Sequence, residues 1–366
     1  DGIELSTIDR VELLNPTVRK DRLILLEALS QSTEIVTSLP SVNFYESGRA
    51  DSVACLIAEG LKNSKAEATI IYTAENNNSA AEILQQAVVE RAGASVGTRV
   101  QFLNTVIGKM SRVVHDPSEI AEHGLKPIAG GIERAFLVEE FNRILVTRTT
   151  ILDFRPGIET FIEKDDLLPY EEAKLYGHNA VHALLGFVGA IKGYTSMTEV
   201  KHDTALMRTA KEAFLQESGH CLMKKYSAIA DGLFAETEFA SYVEDMLERI
   251  TNPYLADTVA RTSRDIVRKL SMDGRVFGTM RLALQYGIEP VHMALGAMAG
   301  IGLLLAKPEE NGLPAHLRFG DWQKLDDAQI EQLVLWLWQG RTCEQSQQII
   351  EYVQRARQNL SQLTRR

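Results

Sequence analysis

The chain has 366 residues, 45% of them hydrophobic and 24% charged, with a net charge of −10. That is enough apolar material for two domains with sizeable cores, and the acidic balance excludes a general nucleic-acid binder, which needs a basic face. Three cysteines (Cys55, Cys221, Cys343) stand far apart, without Cys-x-x-Cys or Cys/His zinc spacing, so neither a disulfide framework nor a structural zinc is expected and the expected compartment is the reducing cytoplasm.

In chain order, the opening "DGIELSTIDR" lacks the basic and then apolar stretches of a signal peptide. Short β-rich runs follow at 33–40, 67–76 and 99–108, with helical patterns at 50–64 and 79–93 between them. Alternating strand and helix predicts a parallel sheet with helices on its faces. Residues 143–154 read as a further strand or hairpin. From about residue 167 the texture changes, with helical patterns at 169–193, 203–226, 236–250, 255–271, 278–286, 291–306 and 326–361. The runs "ALLGFVGAI" and "MALGAMAGIGLLLA" are shorter than the ~20 residues of a membrane span and read as buried helices. The expected fold is therefore α/β followed by all-α, divided as residues 1–160 and 161–366.

The first buried helix opens with "KLYGHNAVH", residues 174–182. A straight α-helix places His182 and Asn179 at about 80° and 140° from Lys174, with His178 at about 40°, so all of them can face one cleft. For an arbitrary lysine a solvated helix edge is the simpler reading. On a helix otherwise nearly all apolar, polar groups must face a cavity or be paired. Desolvation there lowers a lysine's pKa and makes its amine a usable base, and asparagine amides can donate to a developing oxyanion.

Lys174-x4-Asn179-x2-His182, at the head of an apolar helix behind an α/β half, resembles the long-chain mannitol dehydrogenase family. Its members are polyol dehydrogenases that use a nicotinamide cofactor and no metal. The resemblance covers most of the chain. "RITNPYLADTVARTSRDIVRKL" (249–270) resembles the family's Arg-x2-Asn-Pro segment, and this wording and "LQESG" (215–219) are most similar to its mannitol-1-phosphate 5-dehydrogenase branch. "FLNTVIGKMSRVV" (102–114) resembles its asparagine-bearing strand, "YTAENN" (72–77) the strand end beside the nicotinamide, and "TSLP" (37–40) the turn over the cofactor.

The resemblance implies a partial Rossmann-like parallel-sheet N-terminal domain and a mostly helical C-terminal substrate domain, in a monomer or homodimer. It implies Lys174 as general base, Asn179 and Asn104 as holders of the alkoxide or carbonyl oxygen, and His182 orienting a substrate hydroxyl. Arg249 and Asn252 would support the polyol chain. Thr37, Ser38, Leu39, Glu75 and Asn76 would line NAD, with NADP open. The family's Gly-x-Gly-x-x-Gly turn has no counterpart near the start of this sequence, so the expectation is a chain truncated before its first strands. A second departure is Gly108-Lys109, where the family has an Asp-Arg pair.

Other patterns carry less. "GAMAGIG" (296–302) and "YEEAK" (170–174) imitate short-chain dehydrogenase motifs but stand in reversed order, and close helix packing is the expected use of those glycines. "KLYGHN" also resembles the 6-phosphogluconate dehydrogenase arrangement, with the lysine-to-histidine spacing off by one. His178 and His182 lack the Glu of a His-Glu-x-x-His site, so no metal is expected. Between Arg249 and Arg281 seven basic residues face three acidic ones, a surplus of four in an acidic protein. With that surplus, Arg264, Arg268 and Lys269 become candidates for an anionic polyol, a sugar-alcohol phosphate. Tagaturonate or fructuronate reduction, mannitol 2-dehydrogenation and a non-catalytic descendant are the alternatives.

Overall fold

The computed structural model describes residues 2–8, 10–128, 131–140 and 143–365. The chain divides into two compact units, Asp1–Glu171 and Glu172–Arg366.

In the first unit, α1 (Arg19–Gln31) leads into β1 (Glu34–Thr37), α2 (Val53–Lys62), β2 (Thr69–Thr73), α3 (Ala80–Ala92) and β3 (Val100–Ile107). These elements follow the expected alternation, and β1, β2 and β3 pair in parallel. β4 (Ser111–Val114) and β5 (Ala135–Val138) form a separate antiparallel ribbon with α4 (Pro117–Glu122) between them. β6 (Ile144–Thr147) and β7 (Phe161–Lys164) complete the main sheet in the order β1-β2-β3-β6-β7.

The sheet is parallel through β1, β2 and β3, as expected, and becomes mixed where the 143–154 stretch joins it. β6 runs antiparallel to β3, with Thr105 opposite Val146, and β7 then pairs parallel to β6. β7 occupies a stretch read as an interdomain boundary; four residues are too few to show a strand's alternation. The β2 side chains sort by the two-residue period of a strand. Ile71 joins Ile57, Leu84, Val88 and Phe102 under α2 and α3. Ile70 and Tyr72 join Leu103 and Val146 on the opposite face.

The second unit is helical. α5 (Leu168–Glu172), on which the chain passes from the first unit to the second, has Pro169 in its first turn and leads through a π turn, Ala173–His178, into α6 (Asn179–Ile191). α7 (Met197–His202) and α8 (Thr204–Glu212) follow, then a second π turn, Ala213–Gly219, and α9 (His220–Lys225). α10 (Glu236–Ile250), α11 (Val259–Ser263), α12 (Ile266–Lys269), α13 (Phe277–Gln285), α14 (Val291–Ala306), α15 (Asp327–Leu337) and α16 (Ser346–Leu363) complete it.

Two expected helices are each broken. The 255–271 pattern splits at Asp265, whose φ of 59° interrupts the helical backbone, and the 326–361 pattern splits at Gln339 and Gly340, with φ of 57° and 73°. Among the described residues no helix is long and apolar enough to cross a membrane.

α6 is the axis of this unit. From Ala183 to Gly189 every residue is buried, and α14 and α11 pack against it. Gly296 of α14 lies against Leu184, and Gly300 against Phe187 and Leu270, the close helix packing expected of those glycines. The tightest approach is that of α11. A Cβ on Gly186 would stand 2.5 Å from the Thr262 side chain and 3.0 Å from its backbone carbon. A methyl group there displaces α11, because core side chains leave no void to absorb it. Gly186→Ala is therefore expected to destabilise the protein by about 1–3 kcal/mol, read as a lowered melting temperature. An unchanged melt would show that α11 yields freely.

Candidate active site

The sequence-predicted residues fall in both units, and each unit builds its own part. In the first, Glu75 follows the end of β2 and is buried. Its carboxylate accepts from Thr37 Oγ1 at 2.9 Å, Leu39 N at 2.8 Å and Tyr45 Oη at 2.5 Å. Thr37, Ser38 and Leu39 are thus fixed at the carboxyl end of β1, next to Glu75 and Asn76 at the carboxyl end of β2. Open α/β sheets bind ligands at such strand ends. Glu75 itself has its oxygens engaged internally, so it shapes this edge. Tyr45 is a partner that sequence reasoning did not find. Asn104, on β3, accepts from Ala81 N at 2.9 Å and donates to Glu82 at 2.9 Å, which ties it to the first turn of α3.

In the second unit the site starts at the π turn. The Asn179 N–H donates to the Lys174 carbonyl, an i→i+5 bond between two of the predicted catalytic residues. A π turn carries extra chain per turn, so residues five apart lie nearer each other around the axis than the ~140° of a straight α-helix. Lys174 and Asn179 are half-buried. His178 is buried, with its ring 6.1 Å from that of His182. Burial holds the His178 pKa well below the ordinary histidine range, and the charges of Lys174, Arg249 and Arg275 act in the same direction.

His182 has the best-defined surroundings. Its Nε2 lies 3.3 Å from Asp257 Oδ2 and 3.4 Å from Thr262 Oγ1. Burial lowers its pKa while the Asp257 carboxylate opposes that, and the net shift is downward. The ring is therefore neutral at neutral pH. A carboxylate only accepts, so Nε2 carries the proton and Nδ1 is left as an acceptor suited to a substrate hydroxyl. Arg261 clamps Asp257 through Nε at 2.5 Å and through Nη2. Burial raises the Asp257 pKa, but the hydrogen bonds from His182 and Arg261 outweigh it and hold the carboxyl well below the usual range. The stability this pairing contributes is fully present above about pH 4 and fades as pH falls below that.

Asp257, Arg261 and Thr262 were not singled out from the sequence. They lie 75 to 80 positions beyond His182, and only the docking of α11 on α6 brings them to it.

The predicted substrate residues separate into four settings. Arg249 is buried on α10, with Nη1 3.2 Å from Asp245. Asn252 caps the turn Pro253–Leu255 by accepting from Tyr254 N at 3.0 Å. Lys269 is buried and donates to the Thr262 carbonyl at 2.5 Å. Arg264 and Arg268 are exposed and line an open groove of about 1040 Å³ with Tyr194, Lys307 and Glu310, a lining that includes neither Lys269 nor His182. Arg268 is already paired with Asp265 at 3.1 Å. Among the described residues no group of three or more His, Cys, Asp or Glu side chains is placed to hold a metal ion.

A sheet unit with Thr37–Leu39 and Glu75–Asn76 at its strand ends, followed by a helical unit with lysine, asparagine and histidine at the head of its central helix, is the arrangement that the resemblance to the mannitol dehydrogenase family leads one to expect. The match to the mannitol dehydrogenase C-terminal domain over residues 166–361 makes this explicit, and the chain belongs to the mannitol dehydrogenase family of oxidoreductases. It is 28% identical over 304 residues to the mannitol-1-phosphate 5-dehydrogenase of Exiguobacterium sp. (strain ATCC BAA-1283 / AT1b), covering 82% of this chain and 71% of that one. The fold is similar to that of a substrate-free D-sorbitol dehydrogenase, with a TM-score of 0.71, 16% identity and coverage of 94% and 77% of the two chains. It is also similar to Pseudomonas fluorescens mannitol 2-dehydrogenase in its ternary complex with NAD and D-mannitol, with a TM-score of 0.64, 17% identity and coverage of 94% and 76%.

Replacing Asp257 with Asn puts a donor where one of its two acceptor oxygens stood, so the His182 tautomer is no longer fixed, and removes the charge that supports the protonated ring. We expect Asp257→Asn to lower kcat/KM by about 10- to 100-fold, the equivalent of ~1–3 kcal/mol. The ionisation of His182, followed by NMR titration, is expected to move to lower pH. An unmoved titration would show that Asp257 does not govern this ring.

Proposed function

We propose that the chain interconverts a sugar-alcohol phosphate, of the mannitol 1-phosphate type, and its ketose phosphate, without a metal ion and with Lys174 as general base. The observation that carries this reading is the π turn, whose backbone bond from Asn179 to the Lys174 carbonyl brings these two residues toward one face of the helix, one turn before a neutral, Asp257-held histidine. The similarity to mannitol-1-phosphate 5-dehydrogenase supports the phosphate substrate. The resemblance in "KLYGHNAVH" supports the assignment of roles.

Each step follows from ordinary side-chain chemistry. Lys174 takes the hydroxyl proton as the carbinol carbon gives up its hydride. Asn179 donates to the oxygen on which negative charge develops. His182 accepts from a neighbouring substrate hydroxyl through Nδ1 and so fixes which carbon reacts. Arg249 and Asn252 support the remainder of the polyol chain. NAD, when bound, supplies the hydride acceptor.

The residues present fit the nicotinamide end of such a cofactor. Thr37–Leu39 and Asn76 stand at two adjacent parallel strand ends, held there by Glu75. In this reading residues 1–160 serve the cofactor and residues 161–366 the substrate. The choice between NAD and NADP belongs to the assay.

A uronate reductase is the second reading, favoured by the basic surplus of residues 249–281, which suits a carboxylate as well as a phosphate. Steady-state rates with mannitol 1-phosphate, mannitol, tagaturonate and fructuronate, each with NAD(H) and NADP(H), separate the two. Lys174→Ala is expected to lower kcat by about 10²–10⁴-fold, the ordinary contribution of a positioned base, with an unchanged melting curve. Turnover near the wild-type rate would remove Lys174 from the mechanism.

A further inference from the structure

Lys269 is the most deeply buried lysine near the candidate site, at 5% exposure. One of its N–H groups goes to the Thr262 carbonyl at 2.5 Å, and its ammonium lies 5.7 Å from the centre of the Phe187 ring. Among the described residues no carboxylate forms an ion pair with it. Desolvation unmatched by a counter-charge is costly for an ammonium group. Burial, and after it the charge of Arg275, pulls the Lys269 pKa down to about 8.

Arg275 has the same character. It is half-buried, and among the described residues its guanidinium has neither a hydrogen-bond nor an ion-pair partner. Its pKa is lowered to about 10, first by burial and then by Arg268.

The loop between α12 and α13 sets these two cations together. The Val276 N–H reaches the Lys269 carbonyl at 3.4 Å. On the other side of Arg275, a Cβ on Gly274 would stand 2.8 Å from the carbonyl oxygens of both Arg268 and Lys269. Arg275 therefore leaves the chain between two residues whose backbones abut Lys269. The nearby carboxylates are engaged elsewhere. Asp265 pairs with Arg268 at 3.1 Å, Asp273 with Arg281 and Arg341 at 2.7 Å each, and Asp257 with Arg261 and His182. Thr262 joins the pair to the reaction centre, since its carbonyl accepts from Lys269 while its hydroxyl lies 3.4 Å from His182 Nε2.

We propose that Lys269 and Arg275 form the subsite for the phosphate monoester of the substrate, one residue removed from His182. This rests on the reading of the site as that of a sugar-alcohol phosphate dehydrogenase. A phosphate dianion matches two adjacent cations, and the guanidinium offers it paired N–H donors while the ammonium adds a point charge. Arg275 takes no part in the sequence-based phosphate set of Arg264, Arg268 and Lys269.

The test uses the full chain as Arg275→Met, Lys269→Met and, as a control for lost charge, Arg208→Met on the exposed face of α8. Two readouts are taken, the ratio of kcat/KM for mannitol 1-phosphate to that for mannitol, and calorimetric binding of inorganic phosphate. In Arg275→Met and Lys269→Met the ratio is expected to fall by about 10- to 100-fold, mainly through KM, and phosphate binding to weaken by a similar factor. Arg208→Met is expected to leave both unchanged. Arg275, being half-buried, keeps the test available where Lys269→Met fails to fold. Phosphate binding and ratio both unchanged in Arg275→Met would overturn the proposal, as would wild-type protein that binds no phosphate. Wild-type protein that turns over no polyol yet loses phosphate binding on either substitution would sustain the subsite and overturn the dehydrogenase reading instead.

Discussion

The close approach of α11 to α6 at Gly186 is the constraint on which the helical unit's chemistry depends. With a hydrogen where any other residue has a side chain, α6 lets the Thr262 backbone come within van der Waals contact. Thr262 then acts in two directions, its hydroxyl toward His182 and its carbonyl toward Lys269. A looser α11 would lose both contacts together, and Asp257, four residues upstream of Arg261, would leave His182 as well. One packing contact in an apolar interior thus fixes a histidine tautomer, a buried ammonium and the carboxylate between His182 and Arg261. Interiors at crystal-like density transmit such constraints because a displaced helix finds no empty space to occupy.

The π turn before α6 supplies the complementary constraint. Its i→i+5 bond is a local departure from α-helical geometry, of a kind frequent at functional sites. The departure falls where the apolar helix meets its polar head, between Lys174 and Asn179, and it ends as the buried segment of α6 begins. The apolar helix anchors the turn while the turn sets the side chains. Rigidity and chemistry are divided along a single continuous helix.

Much of this was legible in the sequence, and what was hidden has a common cause. The β/α alternation of the first unit, the helical texture of the second and the polar head "KLYGHNAVH" are local patterns, and they lead to the same elements in the structure. Two features escape because they depend on pairing or on hydrogen-bond register. β6 lies antiparallel to β3 although its four residues carry no mark of direction, and the 100°-per-residue count across 174–182 passes through a π turn that composition does not announce. Asp257 and Thr262 escape because their role exists only after two helices far apart in sequence dock. Glu75 shows the reverse case. Its place beside a strand end was readable, but its engagement with Thr37, Leu39 and Tyr45 was not, since three donors from separate segments converge on it.

In the proposed reading, charge distribution in the helical unit separates catalysis from recognition. The groups assigned to proton transfer and orientation, Lys174, Asn179 and His182, sit at the head of α6 and would serve any secondary alcohol on a polyol. The cations without counter-ions, Lys269 and Arg275, sit on the α12–α13 segment, where the net surplus of basic residues lies. A buried ammonium beside a half-buried guanidinium is a standing electrostatic penalty in the folded protein, and a bound anion relieves it. The fold tolerates that penalty because the Thr262 carbonyl accepts from the ammonium and the Phe187 ring lies near it. In the proposed reading, selectivity for an anionic substrate is a property of one short loop, tied through Thr262 to His182.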